Sequence, residues 1–371
     1  MSLLESLIQV SEKAANIARV CRQNEHLFKL LIQEKSEEEK NPRFVEDFKT
    51  LADVLIQETI KHDIGNKHEE LREHIKGEES NVFKNTVGES VVVQVQEDEY
   101  STASLLNTVL NGDTRAAELL AREVHRNVSV EDINLPSPFV PVDLELPLDD
   151  LGIWIDPIDS TAEYISGGQV PTTVRDIHAS GLSCVTVLIG VYNRLTGEPV
   201  IGIVNQPFYS VHNARWCGRC VWGFSYNGVN HYSIPELPEN PEVQKVIVLS
   251  SADSAVLKNH FTTAGYTLVE AAGAGYKCLC VALGSADAYL LSKGTTFRWD
   301  TCGPHALLLA LGGGIVSYTQ AQKGELDSIS YAEDGNAVKE DIAEWCNWDG
   351  IVAYRNEEFL VELIEVLRDT V

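Results

Sequence analysis

The feature that most constrains the fold is an apolar segment that ends in carboxylates. Residues 152–155 (Gly-Ile-Trp-Ile) run directly into 156–161 (Asp-Pro-Ile-Asp-Ser-Thr). The apolar residues predict a buried strand, and α/β folds place their chemistry where such strands end. Asp156 and Asp159 flank a turn held by Pro157 and can point into the same space, where two carboxylates repel unless a cation separates them. The segment therefore predicts a layered fold with a cation site at a strand end.

This run also has an ordinary structural explanation, because Asp159 or Ser160 could simply cap a helix. If it holds a cation, oxygen ligands without a nearby His or Cys favour magnesium over zinc. The Ile158 carbonyl could supply a further oxygen. The amides of Ser160 and Thr161, at the start of a helical turn, could hold a phosphate.

Three further acidic positions bear on this choice. Glu78 and Glu79 are adjacent in the run 77–80 (Gly-Glu-Glu-Ser), Asp300 follows a tryptophan before an apolar helix, and Asp53 lies among apolar helical residues. Each could be a solvated turn or a helix cap when taken alone. Taken together with 156–161, these positions weaken the ordinary explanation of each one.

The remaining pattern predicts a layered α/β chain in two parts. Apolar residues at helical spacing predict a first helix from residue 3 to about 31 and a second over about 43–62, and strands with hairpin turns follow from residue 77. After about residue 240 strands and helices alternate, which is typical of α/β domains. We expect an N-terminal α+β half over 1–235, with most of the candidate metal ligands, and a C-terminal α/β half over 236–371, with the last of them.

The charge balance bears on the partners. The formal net charge is −26, so we expect no nucleic-acid partner and no anionic membrane, since both require basic patches. An anionic small molecule is not excluded, because a bound metal reverses the local field of a cleft. No apolar run is long enough for membrane insertion, and we expect no secretory signal, because residues 1–5 lack the basic start and the apolar block of one. Cys217 and Cys220 form a Cys-x-x-Cys pair, but no second pair at zinc-finger spacing accompanies it. We therefore expect ordinary reduced cysteines, which are typical of a cytoplasmic protein.

These segments resemble the lithium-sensitive, magnesium-dependent phosphatase superfamily, which includes inositol monophosphatase, fructose bisphosphatase and bisphosphate nucleotidase. The resemblance runs in order from about residue 44 to about residue 316. It is carried by 48–53 (Phe-Lys-Thr-Leu-Ala-Asp), 77–80, 154–161 and 299–302 (Trp-Asp-Thr-Cys). Segments 47–55, 184–192, 271–277 and 295–300 are most similar to the inositol polyphosphate phosphatase branch. The resemblance implies an αβαβα sandwich of the inositol monophosphatase type.

The resemblance also implies that two or three Mg²⁺ ions are bound and that Li⁺ inhibits. Glu78, Asp156 and the Ile158 carbonyl would hold the first ion, and Asp156, Asp159 and Asp300 the second. The full set of implied metal residues is Asp53, Glu78, Glu79, Asp156, Ile158, Asp159 and Asp300.

The chemistry implied by the resemblance is direct attack of water on a phosphate monoester, without a phosphoenzyme. The Thr161 hydroxyl, oriented by Asp53, would hold the water in line with phosphorus, and Asp53 or Glu78 would give general-base help. Asp159 and the amides of Ser160 and Thr161 would contact the reacting phosphate.

The resemblance places the other substrate contacts in the C-terminal half. Gly273 and Ala274 would let an inositol ring approach the backbone, and Ser251 and Lys277 would meet a second phosphate. Asp253 departs from the family pattern, which often has Lys there, and a carboxylate facing that phosphate would oppose it. Pro304 also departs from the pattern. We expect it in the first turn of the helix after Asp300, where proline is tolerated.

The expected reaction is removal of the 1-phosphate from inositol 1,4-bisphosphate and inositol 1,3,4-trisphosphate, in phosphatidylinositol signalling, by a monomeric hydrolase. One alternative is a 3′(2′),5′-bisphosphate nucleotidase of the same superfamily, which would need a different ring-binding surface around residues 251–277. Another is a non-catalytic inositol-phosphate binder. It predicts a broken carboxylate set, whereas every implied acidic position is present.

Overall fold

The computed structural model describes residues 1–24, 28, 32–34, 48–85, 87–141, 145–174, 176–235, 245–332 and 342–368. The helices are α1 (Leu3–Gln23), α2 (Leu51–Lys67), α3 (Glu99–Val109), α4 (Thr114–Val124), α5 (Thr161–Ser166), α6 (Ala255–Thr263), α7 (Ala274–Ala282), α8 (Arg298–Ala310), α9 (Tyr318–Lys323) and α10 (Glu357–Arg368). Short 3-10 turns cover Glu69–His74, Val130–Asp132, Leu148–Asp150, Leu182–Cys184 and Ile342–Trp345.

The strands are β1 (Ile32–Glu34), β2 (Phe48–Thr50), β3 (Ile75–Gly77), β4 (Val82–Lys84), β5 (Ser90–Val92), β6 (Leu151–Asp159), β7 (Gln169–Pro171), β8 (His178–Gly181), β9 (Thr186–Asn193), β10 (Pro199–His212), β11 (Arg215–Tyr226), β12 (Val229–Tyr232), β13 (Val246–Leu249), β14 (Thr267–Glu270), β15 (Ala288–Leu291), β16 (Gly314–Ser317) and β17 (Ile351–Tyr354).

The two N-terminal helices are shorter than the apolar spacing predicted. Helix α1 ends at Gln23 rather than near residue 31. Helix α2 begins at Leu51 rather than near residue 43, because β2 pairs antiparallel with β1 immediately before it. Residues 43–47 lie outside the described part of the chain. The Thr50 hydroxyl caps α2 by accepting hydrogen bonds from the amides of Ala52 and Asp53, at 3.1 and 3.4 Å.

A six-stranded sheet has the order β12-β11-β10-β9-β6-β3. Strand β3 lies parallel to β6 with Gly77 opposite Ile155, so the residues that follow Gly77 reach the level of Asp156. The prediction that the strand ends at Ile155 was wrong, since β6 continues to Asp159. It pairs with β9 from Leu151 to Asp156 and again at Asp159, with a shift of register between these two aspartates. This irregularity lets both aspartates leave the strand close to one another.

A second, five-stranded sheet has the order β14-β13-β15-β17-β16. Strand β13 is parallel to both β14 and β15, whereas β17 runs antiparallel to its neighbours. The carboxyl ends of β13, β14 and β15 therefore meet at one edge of the sheet. The loops that leave this edge contain Ser251, Gly273 and Lys293.

Three large apolar cores, with a smaller cluster that includes Trp154 and Trp299, hold five layers together in the described part of the chain. The first packs α1 and α2 against one face of the six-stranded sheet, with Leu55 and Ile203 among its residues. The second fills the space between the two sheets, where Leu279 of α7 and residues of α8 lie. The third packs α6 and α10 on the far face of the five-stranded sheet, with Leu363 buried there. This order of layers confirms the predicted αβαβα sandwich.

The division into halves at residues 235 and 236 stays a prediction. No helix among the described residues is both long and apolar enough to cross a bilayer.

Pro304 was expected in the first turn of its helix, but it is the seventh residue of α8 and lies in the second turn. Proline has no amide hydrogen, so it cannot donate to the Asp300 carbonyl four residues earlier. The helix nevertheless continues to Ala310, and Asp300 keeps its place in the first turn.

Candidate active site

Three aspartates from two structural elements meet between the sheets. Asp156 and Asp159 come from β6 and Asp300 from the first turn of α8, and each offers a carboxylate oxygen within 4.8 Å of the other two. Asp156 is 1% exposed and Asp159 is 7% exposed. Carboxylates so close and so shielded from water repel one another strongly.

Because the carboxylates are close together and shielded from water, the pKa values of all three aspartates are raised. Burial raises the pKa of Asp156 well above its ordinary value, and the charges of Glu78, Asp159 and Asp300 raise it further. Burial likewise raises the pKa of Asp300, with added contributions from Asp159 and Glu78. Burial raises the pKa of Asp159 less, because Lys277 and hydrogen-bond donors stabilise its charge. The fold therefore holds the three carboxylates close together although their negative charges repel one another.

A hard divalent cation fits this cluster. The Oδ1 atom of Asp156 is buried and has no hydrogen-bond partner among the described residues. A buried acceptor without a donor is costly, and a bound cation would satisfy it. Because the three ligands are carboxylates, the donor set suits Mg²⁺ better than zinc or copper.

Backbone donors fix two of the three carboxylates. The Phe297 amide donates to Oδ2 of Asp300 at 2.6 Å, across the start of α8. Oδ2 of Asp159 accepts from the Gly275 amide at 2.9 Å and from the Thr186 hydroxyl at 3.1 Å. The Ala274 amide donates to the other oxygen of Asp159 at 3.3 Å. The first amides of α7 thus stabilise a negative charge, as expected for a helix N-terminus.

Gly273 permits this close approach of α7 to β6. Its φ is +76°, a value that residues with a Cβ rarely adopt. A Cβ there would lie 2.8 Å from the Cys184 carbonyl, 2.9 Å from Oγ of Ser160 and 3.1 Å from Oδ2 of Asp159. Glycine is therefore required by both the backbone and the packing.

Glu78 and Glu79 directly follow β3. The Glu78 amide donates to the Ile155 carbonyl at 3.1 Å, which extends the pairing of β3 with β6 by one residue. The negative charge of Glu78 raises the pKa of both Asp156 and Asp300, so its carboxylate belongs to the same electrostatic site. Glu79 is buried beside it. Within the described residues, the 4.8 Å cluster itself includes neither glutamate.

Thr161 connects β6 to α2. Its hydroxyl lies 3.4 Å from Oδ1 of Asp53 and 3.1 Å from the Ile158 carbonyl. The other oxygen of Asp53 accepts from both the amide and the hydroxyl of Thr50, each at 2.6 Å. Thr161 follows Ser160, whose φ of +72° places it in the left-handed region. This strained turn brings Thr161 back toward Asp53.

The two residues expected at a second phosphate lie on different elements, Ser251 in the loop after β13 and Lys277 within α7. Ser251 is exposed just after β13, and its carbonyl accepts from Lys258 at 2.9 Å. Lys277, which without the family resemblance would be taken for a surface lysine, is buried. Its ammonium donates to the Ala271 carbonyl at 3.1 Å and lies 5.0 Å from the centre of the Tyr289 ring.

Asp253 does not face outward as expected. Its Oδ2 accepts from the Ser250 amide at 3.0 Å, and its Oδ1 accepts from the amide and hydroxyl of Ser292 at 3.2 and 2.7 Å. The carboxylate thus joins the loops after β13 and β15 in the interior. Lys293, the residue after Ser292, donates to the Ala252 carbonyl at 2.5 Å and places a cation on the exposed side of the same loop.

Sequence reasoning missed three residues that shape the site. Thr50 could have been found, since Thr-x-x-Asp before an apolar run is the pattern of a helix cap. Thr186 donates to Asp159, and Gln57 contacts the backbone of Glu79. Neither follows a sequence pattern, because both contacts depend on elements that only the tertiary fold brings together.

Comparisons with known proteins identify similar sequences and structures. The model of the Inositol monophosphatase family matches residues 69–347. The chain is 45% identical to Inositol polyphosphate 1-phosphatase from Bos taurus and 43% identical to that from Mus musculus, with 98% of each chain covered in both comparisons. It is 34% identical to 3'(2'),5'-bisphosphate nucleotidase 1 from Dictyostelium discoideum, over 46% of this chain and 52% of the relative.

Solved structures share the fold at low sequence identity. The extragenic suppressor protein suhB from Bartonella henselae matches over 100% of both chains, with a TM-score of 0.55 and 12% identity. An IMPase/NADP phosphatase complexed with Mg²⁺ and phosphate covers 95% of this chain and 90% of its own, with a TM-score of 0.50 and 11% identity.

Proposed function

This chain belongs to the inositol monophosphatase family, and from that membership we propose that it removes the 1-phosphate from inositol 1,4-bisphosphate and inositol 1,3,4-trisphosphate. It is a phosphomonoesterase, as its near full-length relatives indicate. The observation that supports the proposal most strongly is the cluster of Asp156, Asp159 and Asp300, whose carboxylate oxygens lie within 4.8 Å of one another. In this cluster Oδ1 of Asp156 is buried without a hydrogen-bond partner among the described residues, so a cation could bind it.

The residues that would hold two or three Mg²⁺ ions are Asp53, Glu78, Glu79, Asp156, the Ile158 carbonyl, Asp159 and Asp300. When bound, the ions would lower the pKa of a water molecule and neutralise charge on the phosphate. Support comes from the raised pKa values of Asp156 and Asp300, which burial causes first and the neighbouring carboxylates increase, since a cation would offset both the burial of the charges and their repulsion.

The protein's own part in the reaction centres on Thr161. Its hydroxyl, in contact with Asp53 and the Ile158 carbonyl, would orient the attacking water toward phosphorus. Asp53 or Glu78 would accept the proton of that water. The amides of Ser160 and Thr161 would bind phosphate oxygens. No side chain is required to attack phosphorus in this account.

Contacts to the rest of the substrate would come from the edge of the five-stranded sheet. The bare backbone at Gly273 and Ala274 would let a ring approach, and Ser251 and Lys277 would meet a second phosphate. The carboxylate of Asp253 would not contact such a phosphate, because it accepts hydrogen bonds from Ser250 and Ser292. The monomeric state, the cytoplasmic location and inhibition by Li⁺ remain part of the proposal.

One assay tests the proposed function. The purified protein is given inositol 1,4-bisphosphate, inositol 1-phosphate and adenosine 3′,5′-bisphosphate, each with and without Mg²⁺ and with added Li⁺. We expect Mg²⁺-dependent turnover that favours inositol 1,4-bisphosphate and falls with Li⁺. Faster turnover of the nucleotide would replace the assignment with the nucleotidase activity. Absence of turnover with all three would contradict an enzymatic role.

A further inference from the structure

Gln57 is a fully buried polar residue of α2 that lies outside the set of acidic ligands. Its carboxamide makes a pair of hydrogen bonds with the backbone of Glu79. The Glu79 amide donates to Oε1 at 2.9 Å, and Nε2 donates to the Glu79 carbonyl. The side chain therefore pairs with both backbone polar groups of Glu79, as a residue of a neighbouring strand would.

The same side chain packs on Gly77, at the end of β3. A Cβ at Gly77 would overlap the carboxamide of Gln57, so that glycine leaves the space that Gln57 occupies. On the other side of the segment, the Glu78 amide donates to the Ile155 carbonyl of β6. The peptide of Glu78 and Glu79 is thus held between β6 and Gln57.

Gln57 also links two parts of the site. It follows Asp53 by four residues on α2, so the two side chains share one face of the helix. Asp53 contacts Thr161, and Gln57 contacts the segment of Glu78 and Glu79. One rigid helix therefore sets the positions of both groups relative to β6.

We propose that Gln57 is a positioning residue for metal binding, which fixes the Glu78–Glu79 backbone so that the Glu78 carboxylate faces Asp156. The inference rests on the proposed function to the extent that Mg²⁺ is the bound ion. Groups that orient metal ligands typically contribute about 10- to 100-fold to metal affinity. The Gln57 carboxamide should do so here through the Glu79 peptide, without contacting the ion.

The test is Gln57→Met, which roughly keeps the volume and removes both hydrogen bonds. Thr59→Val is the matched control, because Thr59 is equally buried on the same helix and its hydroxyl bonds only to the Leu55 carbonyl within α2, at 2.6 Å, among the described residues. Mg²⁺ affinity is measured by calorimetry without substrate, and Tm is measured without metal. We expect the Mg²⁺ dissociation constant to rise about tenfold or more in Gln57→Met and to stay within about twofold in Thr59→Val.

If Gln57→Met lowers Tm but leaves Mg²⁺ affinity unchanged, Gln57 is only structural and the inference is overturned. Should that variant fail to fold, Gly77→Ala disturbs the same contact from the opposite side and should weaken Mg²⁺ binding in the same way. Native protein that binds Mg²⁺ but turns over no inositol phosphate would contradict the proposed function alone. Native protein that binds no Mg²⁺ would contradict both.

Discussion

The hydroxyl of Thr161 lies 3.4 Å from Oδ1 of Asp53, although 108 residues separate them in the chain. The contact joins the turn after β6 to the first turn of α2. It gives the threonine hydroxyl a fixed direction, because Asp53 is itself held by Thr50. A hydroxyl oriented in this way near the carboxylates of Asp156, Asp159 and Asp300 can aim a water molecule.

Replacing Thr161 by Val should remove that function and leave the fold intact. We expect kcat to fall about 100-fold with little change in KM, because the water would lose its alignment. Thr161→Ser keeps the hydroxyl and should stay within about tenfold of the native kcat. Steady-state kinetics at saturating Mg²⁺ measures both. Equal activity of Thr161→Val and the native protein would exclude a role for the hydroxyl.

Asp156→Asn should separate catalysis from stability. The change removes one of three mutually repelling carboxylates, so Tm without metal should stay constant or rise. Turnover should fall by at least about 1000-fold if Asp156 binds the metal. Asp287→Asn is a control outside the site, where the carboxylate accepts from the Val246 amide, and it should keep full turnover. Near-native turnover of Asp156→Asn would contradict the metal assignment.

Gly273→Ala should damage the site more than its backbone strain alone can explain. Gly265 has a similar φ of +90°, but a Cβ there would meet nothing within 4 Å. Both alanine variants should lose about 1 kcal/mol of unfolding free energy from the positive φ. Only Gly273→Ala should also lower kcat, by about tenfold or more, since its Cβ would press on Ser160 and Asp159. Equal kcat values for the two variants would show that the contact does not matter.

His305 should make the protein acid-sensitive. It is buried in α8 between Tyr331 and Ser328, and burial lowers its pKa from 6.5 to about 3. The unfolded chain then binds a proton that the folded chain does not, so stability falls as pH decreases from 6.5 toward 3. The slope should be about 1.4 kcal/mol per pH unit. Denaturant unfolding of His305→Gln should show a shallower decline, and identical slopes would contradict this prediction.

The layered fold followed from the sequence because apolar spacing is a local signal. The predicted ends of the helices and strands were less accurate than the predicted order of layers. The turn expected at Pro157 is a register shift inside β6, because pairing with β9 continues to Asp159 and Thr186. A local pattern cannot show that a distant strand keeps pairing. The start of α2 was missed for a similar reason, since β2 is defined only by its pairing with β1.

For the site, too, sequence runs indicated which residues to consider, whereas the directions of their side chains depend on distant contacts. The acidic run and the later Trp-Asp indicated which carboxylates to consider, and the structure brings Asp156, Asp159 and Asp300 together. Their roles stay predictions. The direction of Asp253 could not be foreseen, because its partner Ser292 is 39 residues away on a neighbouring strand end. Lys277 is buried for a comparable reason, since α7 lies between the two sheets.

The central claim is that a divalent ion binds among Asp156, Asp159 and Asp300. Anomalous diffraction from crystals grown with Mn²⁺ in place of Mg²⁺ tests it most directly. We expect an anomalous peak between these carboxylates, about 2.0–2.3 Å from an Asp156 oxygen. A well-ordered site without such a peak, or peaks confined to surface carboxylates, would contradict the account.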